Sequence, residues 1–223
     1  MDKQLLMDGV KKFLAGIIMI GLLLFVPAGT IHYYNGWLFC GVLFIPVLIM
    51  GVVLYLKAPE LLRKRLREKE EQAEQKSVVA LSGLMFLAGF ILAGLDFRFA
   101  WTQLPSWIVY AAAVAFLLGY AMFGEVMREN AYLSRTVEVQ ENQVVIDTGL
   151  YGVVRHPMYT ATVVMFLAMP LVLGSAISFV VFLVYPFLIV KRIRNEEQVL
   201  EDGLAGYTEY KQKVKYRLIP FIW

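Results

Sequence analysis

Residues 158–190 run for 33 positions without one charged side chain. A single untilted membrane crossing needs about 20 helical residues for roughly 30 Å of hydrocarbon, so this run is too long to be one helix. Pro170, Gly174 and Ser175 interrupt its middle, and the run therefore predicts a helical hairpin of two short arms. Four further apolar segments of spanning length precede it, at about residues 13–31, 37–56, 78–95 and 107–124. With 59% of 223 residues hydrophobic and a mean hydropathy of +0.64, the chain carries more apolar surface than a soluble domain of this length could bury. The expected fold is an all-α integral membrane protein: four N-terminal transmembrane helices plus a C-terminal hairpin.

At this length no separate soluble catalytic domain is expected, so any active site must be built from the membrane helices and their connections. The sequence divides into N-terminal helices over residues 1–130, with a charged connection at 57–77, and a C-terminal core over 131–223. The first span lacks a small-residue cleavage site and is followed closely by a second, which reads as a retained helix rather than a signal peptide. Cys40 is the lone cysteine, which excludes an intrachain disulfide and a thiolate metal cluster. No metal site is expected.

Charge placement gives an orientation. Of 21 Lys and Arg residues, three lie at the N-terminus, seven in 57–77, three between the fourth span and the hairpin, and seven after the hairpin; Arg98 stands alone on the opposite side. By the positive-inside rule both termini face the cytoplasm. A multi-pass protein of the plasma membrane or, in a eukaryote, the endoplasmic reticulum fits equally, and no nucleic-acid partner is expected from a net charge of only +3. Tyr33, Tyr34, Trp37, Trp101 and Trp107 fall where an outer aromatic belt would lie. The 59–76 segment reads as a mixed-charge helix starting at Pro59 and lying along the membrane face, with Arg63, Lys64, Arg65 and Arg67 as a candidate contact for anionic lipid. Gly89 and Ala93 form a small-xxx-small pair for close helix packing.

After the fourth span the character changes. Residues 136–139 and 143–146 are short β-like pieces around a turn-prone Gln-Glu-Asn. Then comes Gly149-Leu-Tyr151-Gly152-Val-Val-Arg155-His156-Pro157-Met158-Tyr159, set directly against the apolar hairpin. Gly149 and Gly152 allow backbone turns closed to other residues, and Pro157 suits the first turn of a helix. The start of that helix, flanked by Arg155 and His156, offers backbone N–H groups and a positive dipole end to a carboxylate or phosphate. Alternatively Arg155 and His156 are interfacial anchors reaching for headgroups.

Beyond the hairpin, helical spacing pairs Arg192 with Glu196 at i, i+4 and Arg194 with Glu197 at i, i+3. Because a hairpin returns to the side it left, this acidic and basic cluster lies near the Gly149–Tyr159 motif. Two readings stay open: exposed salt bridges worth a few tenths of a kcal/mol, or a clamp for a zwitterion, with a carboxylate for an ammonium and a guanidinium for an anion.

The ordered set Gly149-x-Tyr151-x-x-x-Arg155-His156-Pro157-x-Tyr159, apolar hairpin, Arg192-x-x-x-Glu196-Glu197-x-x-Leu200, Tyr207-x-x-Tyr210 and Arg217-x-x-Pro220 resembles the isoprenylcysteine carboxyl methyltransferase and phospholipid methyltransferase superfamily. The resemblance covers about the last 90 residues. It implies a cytosol-facing pocket for S-adenosylmethionine, closed over by the C-terminal segment, with a lipophilic methyl acceptor arriving from the bilayer among membrane lipids. Carried over position by position, it makes Gln143, Val144, Val145, Ile146, Tyr151, His156, Pro157, Met158, Tyr159 and Glu196 cofactor-binding residues. It places Arg192 at the methyl acceptor, with Arg192, Glu196 and Glu197 as the catalytic set. O-methylation of an isoprenylcysteine-like carboxylate is the leading expectation, and N-methylation of a phospholipid amine its alternative. The His-Pro-x-Tyr element and the ending Tyr216–Pro220 also resemble membrane sterol reductases that use NADPH. A non-catalytic lipid-binding protein is the remaining alternative.

Overall fold

A computed structural model describes residues 2–66, 73–133, 137 and 139–223. The first helix, α1, runs Lys3–Ala28; Asp2 caps it by accepting from Gln4 N and Leu5 N, and Gly29 ends it in the left-handed conformation at φ 68°. There follow α2 (Tyr34–Lys57), α3 (Pro59–Leu66), α4 (Ala73–Phe99) and α5 (Ser106–Glu129). After a long connection come α6 (Pro157–Val172), α7 (Ala176–Phe182), α8 (Tyr185–Gly203) and α9 (Tyr207–Lys213). Helices α1, α2, α4 and α5, and the stretch Ala176–Gly203, are long and apolar enough to cross a membrane. The chain is a multi-pass integral membrane protein.

The hairpin expected over 158–190 is present as α6 returning through α7 and the first part of α8. Its turn lies at Gly174 (φ 78°) and Ser175, whose hydroxyl accepts from Ser178 N. Pro170 sits within α6 and not at the turn. Two features go beyond expectation. The return arm is broken between α7 and α8 just ahead of Pro186, and α8 continues past the apolar run to Gly203, so Arg192, Glu196 and Glu197 stand on a rigid helix.

Close contacts between helices occur at small residues. Gly119 of α5 admits α6, since a Cβ there would lie 2.8 Å from Met165 Cγ and 3.2 Å from Ala161 O. Gly89 accommodates the Phe182 ring, its carbonyl accepts from Ser178 Oγ at 2.8 Å, and Ala93 is fully buried. Phe39, Phe86, Phe90, Phe116 and Phe182 fill the centre between these helices.

The end of the bundle away from the cation-rich segments is tied by polar contacts. Asp96, almost wholly buried, accepts from Thr102 N (2.6 Å), Thr102 Oγ1 and Ser175 Oγ, which satisfies the acid and pins the hairpin turn to the α4–α5 connection. Tyr34, Trp37, Trp101 and Trp107 are exposed there, as a belt requires. Tyr33 is not part of it: its ring is buried on Phe97 and its hydroxyl donates to Leu173 O at 2.6 Å.

Helix α3 begins at Pro59 as expected, yet Leu61 is buried against Leu54, Val126 and Met127. Its cations have partners within the protein: Arg63 with Asp2 (2.8 Å), Lys64 with Gln140 Oε1 (2.6 Å), and Arg65 over the Phe123 ring. Arg67 lies outside the described residues, as do 136 and 138 of the first β-like piece. No strand occurs among the described residues. Residues 143–146 lack a ladder because Val139 and Val145 pack side chains against Leu200, Leu204, Tyr207 and Tyr210 instead of pairing backbones.

Candidate functional site

Gly149 starts a short 3-10 turn, Gly149–Gly152, at φ 50°. A Cβ there would collide with the Glu129 carboxylate, so both conformation and space favour glycine. Gly152 has no positive φ; a Cβ would only approach Asp147 O at 3.1 Å. The turn buries Tyr151, whose hydroxyl accepts from Asn130 Nδ2 (2.9 Å) and whose carbonyl accepts from Tyr210 OH (2.7 Å).

The chain then meets its own C-terminal segment. Arg155 N donates to Tyr216 O (2.9 Å), His156 N donates to Arg217 O (3.0 Å), and Thr160 Oγ1 donates to Leu218 O (2.8 Å). Since these two N–H groups have carbonyl partners and Pro157 has none to offer, the expected anion site at the start of α6 is largely closed. Arg155 and His156 are 7% and 5% exposed, which rules out headgroup anchors.

Their partner is Glu197. Its Oε1 accepts from Arg155 Nε (2.8 Å) and lies 3.2 Å from His156 Nε2, and its Oε2 accepts from Arg217 Nε and Nη2 (2.8 Å each). Arg155 Nη1 also donates to Val214 O and Lys215 O. Burial pushes the Glu197 carboxyl up, but the donors on His156, Arg217 and Arg155 outweigh it and hold the group well below the usual carboxylate range. The expected Glu197–Arg194 pair does not form; Arg194 is exposed, and three longer-range donors surround the acid.

Glu196 has a different setting. Tyr159 OH donates to Glu196 Oε2 and accepts from Arg192 Nε at 2.8 Å, so one phenol links the acid to the guanidinium. His156 Nδ1 lies 3.8 Å from Glu196 Oε1, and the His156 ring stacks on Tyr159 at 5.8 Å. One turn from Arg192, Gln75 Nε2 donates to Asn195 Oδ1 (2.6 Å) and ties α8 to α4.

These groups face a solvent-open cleft of about 840 Å³ including its mouth. Its wall contains Gln143, Val144, Val145, Ile146, Tyr151, His156, Met158, Tyr159, Arg192 and Glu196. Pro157, fully buried at the start of α6, and Glu197 are not on the wall. The wall also contains Arg155, which the sequence placed beside a candidate anion site, and Asn130, Leu200, Leu204, Tyr207 and Tyr210, which it did not assign there; of these, Leu200, Tyr207 and Tyr210 carried one signal, their place in the C-terminal motif. Burial, reinforced by the Glu197 and Glu196 carboxylates, raises the Tyr207 phenol far above its ordinary value, so it is protonated at neutral pH. Its hydroxyl is buried with no hydrogen-bond partner among the described residues. Among those residues no cluster of three or more His, Cys, Asp or Glu could hold a metal ion.

Helices of membrane-crossing length define a multi-pass membrane protein, and beside the start of α6 and the C-terminal half of α8 it carries a polar cleft whose wall includes Glu196, Arg155 and Arg192. Residues 107–202 match the model of the isoprenylcysteine carboxyl methyltransferase (ICMT) family, which bears out the resemblance over the Gly149–Tyr159 motif and the hairpin through most of α8, extends back over α5, and stops short of Tyr207–Pro220. Over 91 residues the chain is 31% identical to the Delta(14)-sterol reductase TM7SF2 of Mus musculus, covering 40% of this chain and 22% of that protein. The chain thus spans about a fifth of the length of this relative.

Proposed function

We propose that the protein is an S-adenosylmethionine-dependent methyltransferase of the membrane that acts on a lipophilic acceptor, foremost the carboxylate of an isoprenylcysteine-like molecule. The family match over 107–202 supports a membrane methyltransferase. The observation that carries the reading further is the Glu196–Tyr159–Arg192 chain on the cleft wall, with an acid and a cation held apart by one phenol. Two groups on the wall support a zwitterionic cofactor: Glu196 offers a carboxylate to an ammonium, and Tyr207 offers a buried hydroxyl with no partner among the described residues.

When bound, S-adenosylmethionine supplies a methyl group already made electrophilic by the sulfonium. What remains for the protein is alignment and exclusion of water. Tyr159 fixes Arg192 through Nε, and Arg192 orients an acceptor carboxylate by a charge-assisted contact. A carboxylate needs no base. An amine acceptor must be neutral to attack, and Glu196 would then accept its proton; Glu197, surrounded by Arg155, His156 and Arg217, supports the wall from behind. On this reading the cation-rich end of the bundle is cytoplasmic, where the cofactor is dissolved.

Titration of purified protein with S-adenosylmethionine should show binding, and Glu196→Ala should abolish it; an unchanged affinity would sink the clamp. Mass spectrometry of a membrane lipid extract after incubation with methyl-labelled cofactor identifies the acceptor. The sterol reductase match favours a second reading, an NADPH-dependent membrane reductase. Binding of NADPH in place of S-adenosylmethionine would establish it, and binding of neither by folded protein would favour a lipid-binding protein.

A further inference from the structure

Besides Tyr159, three buried tyrosines stand on the cleft wall, Tyr151, Tyr207 and Tyr210. Two have protein partners: Tyr210 OH donates to Tyr151 O at 2.7 Å, and Tyr151 OH accepts from Asn130 Nδ2 at 2.9 Å. Tyr207 has none among the described residues, although it is only 4% exposed and its hydroxyl is wholly buried. A buried hydroxyl without a partner destabilises the fold that contains it, so such groups need an explanation. Packing does not require one: the Tyr207 ring lies among Leu204, Tyr210, Val214 and Val145, and phenylalanine would fill the same space. The residue is nevertheless held firmly. Gly206 takes the left-handed conformation at φ 84° to start α9, and Tyr207 N donates to Leu204 O at 3.2 Å.

We infer that Tyr207 is a cofactor-binding residue whose hydroxyl donates a hydrogen bond to an oxygen acceptor of the bound cofactor, a carboxylate or ribose oxygen. The inference rests on the S-adenosylmethionine reading above. Burial, reinforced by the Glu197 and Glu196 carboxylates, keeps the phenol protonated, so the hydroxyl has a proton to donate. Tyr207 lies beyond the segment matched by the family model, on the helix that flanks the cleft, so α9 contributes to binding as well as covering the site.

The test compares wild type, Tyr207→Phe and Tyr210→Phe as full chains in detergent micelles, by thermal melting without ligand and by calorimetric titration with S-adenosylmethionine. Tyr207→Phe should melt at or above the wild-type temperature, since it removes a hydroxyl with no partner among the described residues, and should bind about 2- to 12-fold more weakly, the worth of one net hydrogen bond. Tyr210→Phe, which loses its bond to Tyr151 O, should melt lower. Unchanged affinity in Tyr207→Phe, or a lower melting temperature without ligand, overturns the inference. If wild type itself fails to bind, the methyltransferase reading falls and this one with it; if wild type binds and Tyr207→Phe binds equally, only the role of Tyr207 falls.

Discussion

Replacing Glu197 by glutamine keeps the volume of a side chain that is 3% exposed but removes its charge and turns one acceptor oxygen into a donor. The amide must then face either Arg155 or Arg217, donor against donor, at positions that now hold 2.8 Å hydrogen bonds. Breaking a buried ion pair costs about 3–5 kcal/mol. Arg155 keeps the Val214 and Lys215 carbonyls, which points to the lower end, about 3 kcal/mol. For a chain of this size that is a fall in Tm of roughly 6–12 °C. Thermal melting in micelles reads the total, and hydrogen exchange at the Arg155 and His156 amides, which donate to Tyr216 and Arg217 carbonyls, reads whether the C-terminal segment has come loose. A melting temperature within about one degree of wild type, with both amides still protected, would refute the view that Glu197 ties this segment down. The pH dependence has a definite sign. Because the folded carboxyl is held below its unfolded value of about 4.3, its contribution is fully present above that pH and is lost only as pH falls through the lower folded value. The segment should therefore stay docked at pH 5.

Tyr159→Phe removes the hydroxyl that joins Arg192 to Glu196; hydrogen bonds to charged groups are worth about 1.5–3 kcal/mol, so kcat/KM for methyl transfer should fall roughly 10- to 100-fold, measured with labelled cofactor. Gly149→Ala must hold φ near 50° and push into the Glu129 carboxylate; it should cost about 1–3 kcal/mol of stability, read by thermal melting, while Gly152→Ala at ordinary φ costs less.

The spans were legible because membrane helices must be continuously apolar, and the hairpin because a charge-free run of that length has to turn back. Gly149 and Pro157 announced their backbone roles through their own stereochemistry. The pairing of Glu197 was not legible: spacing along one helix nominates Arg194, whereas the donors come from positions 42 residues earlier and 20 later. Tyr33 misleads for a similar reason, since a tyrosine near a helix end suits an aromatic belt, but the nearby Leu173 carbonyl gives its hydroxyl a buried partner. Residues 143–146 have β-forming side chains and no strand, because α8 and α9 supply the apolar surface that a second strand would otherwise provide. Tyr207 could be placed in a motif from sequence, but that its hydroxyl has no partner among the described residues is visible only in three dimensions.

Helix α6 has 16 residues and rises roughly 24 Å, against roughly 39 Å for the 26 residues of α1. Its far end is level with the α1–α2 connection, where Tyr33 meets Leu173. Its near end, with His156 and the cleft, therefore reaches about the level of Lys12, the last cation before the apolar run of α1. On the proposed function, a lipid acceptor and a water-soluble cofactor would meet near that level, the first supplied by two-dimensional diffusion and the second by three-dimensional diffusion. The acceptor's effective concentration is then its mole fraction among the surrounding lipids, and turnover should drop when inert lipid dilutes it even though its amount per volume of suspension is unchanged.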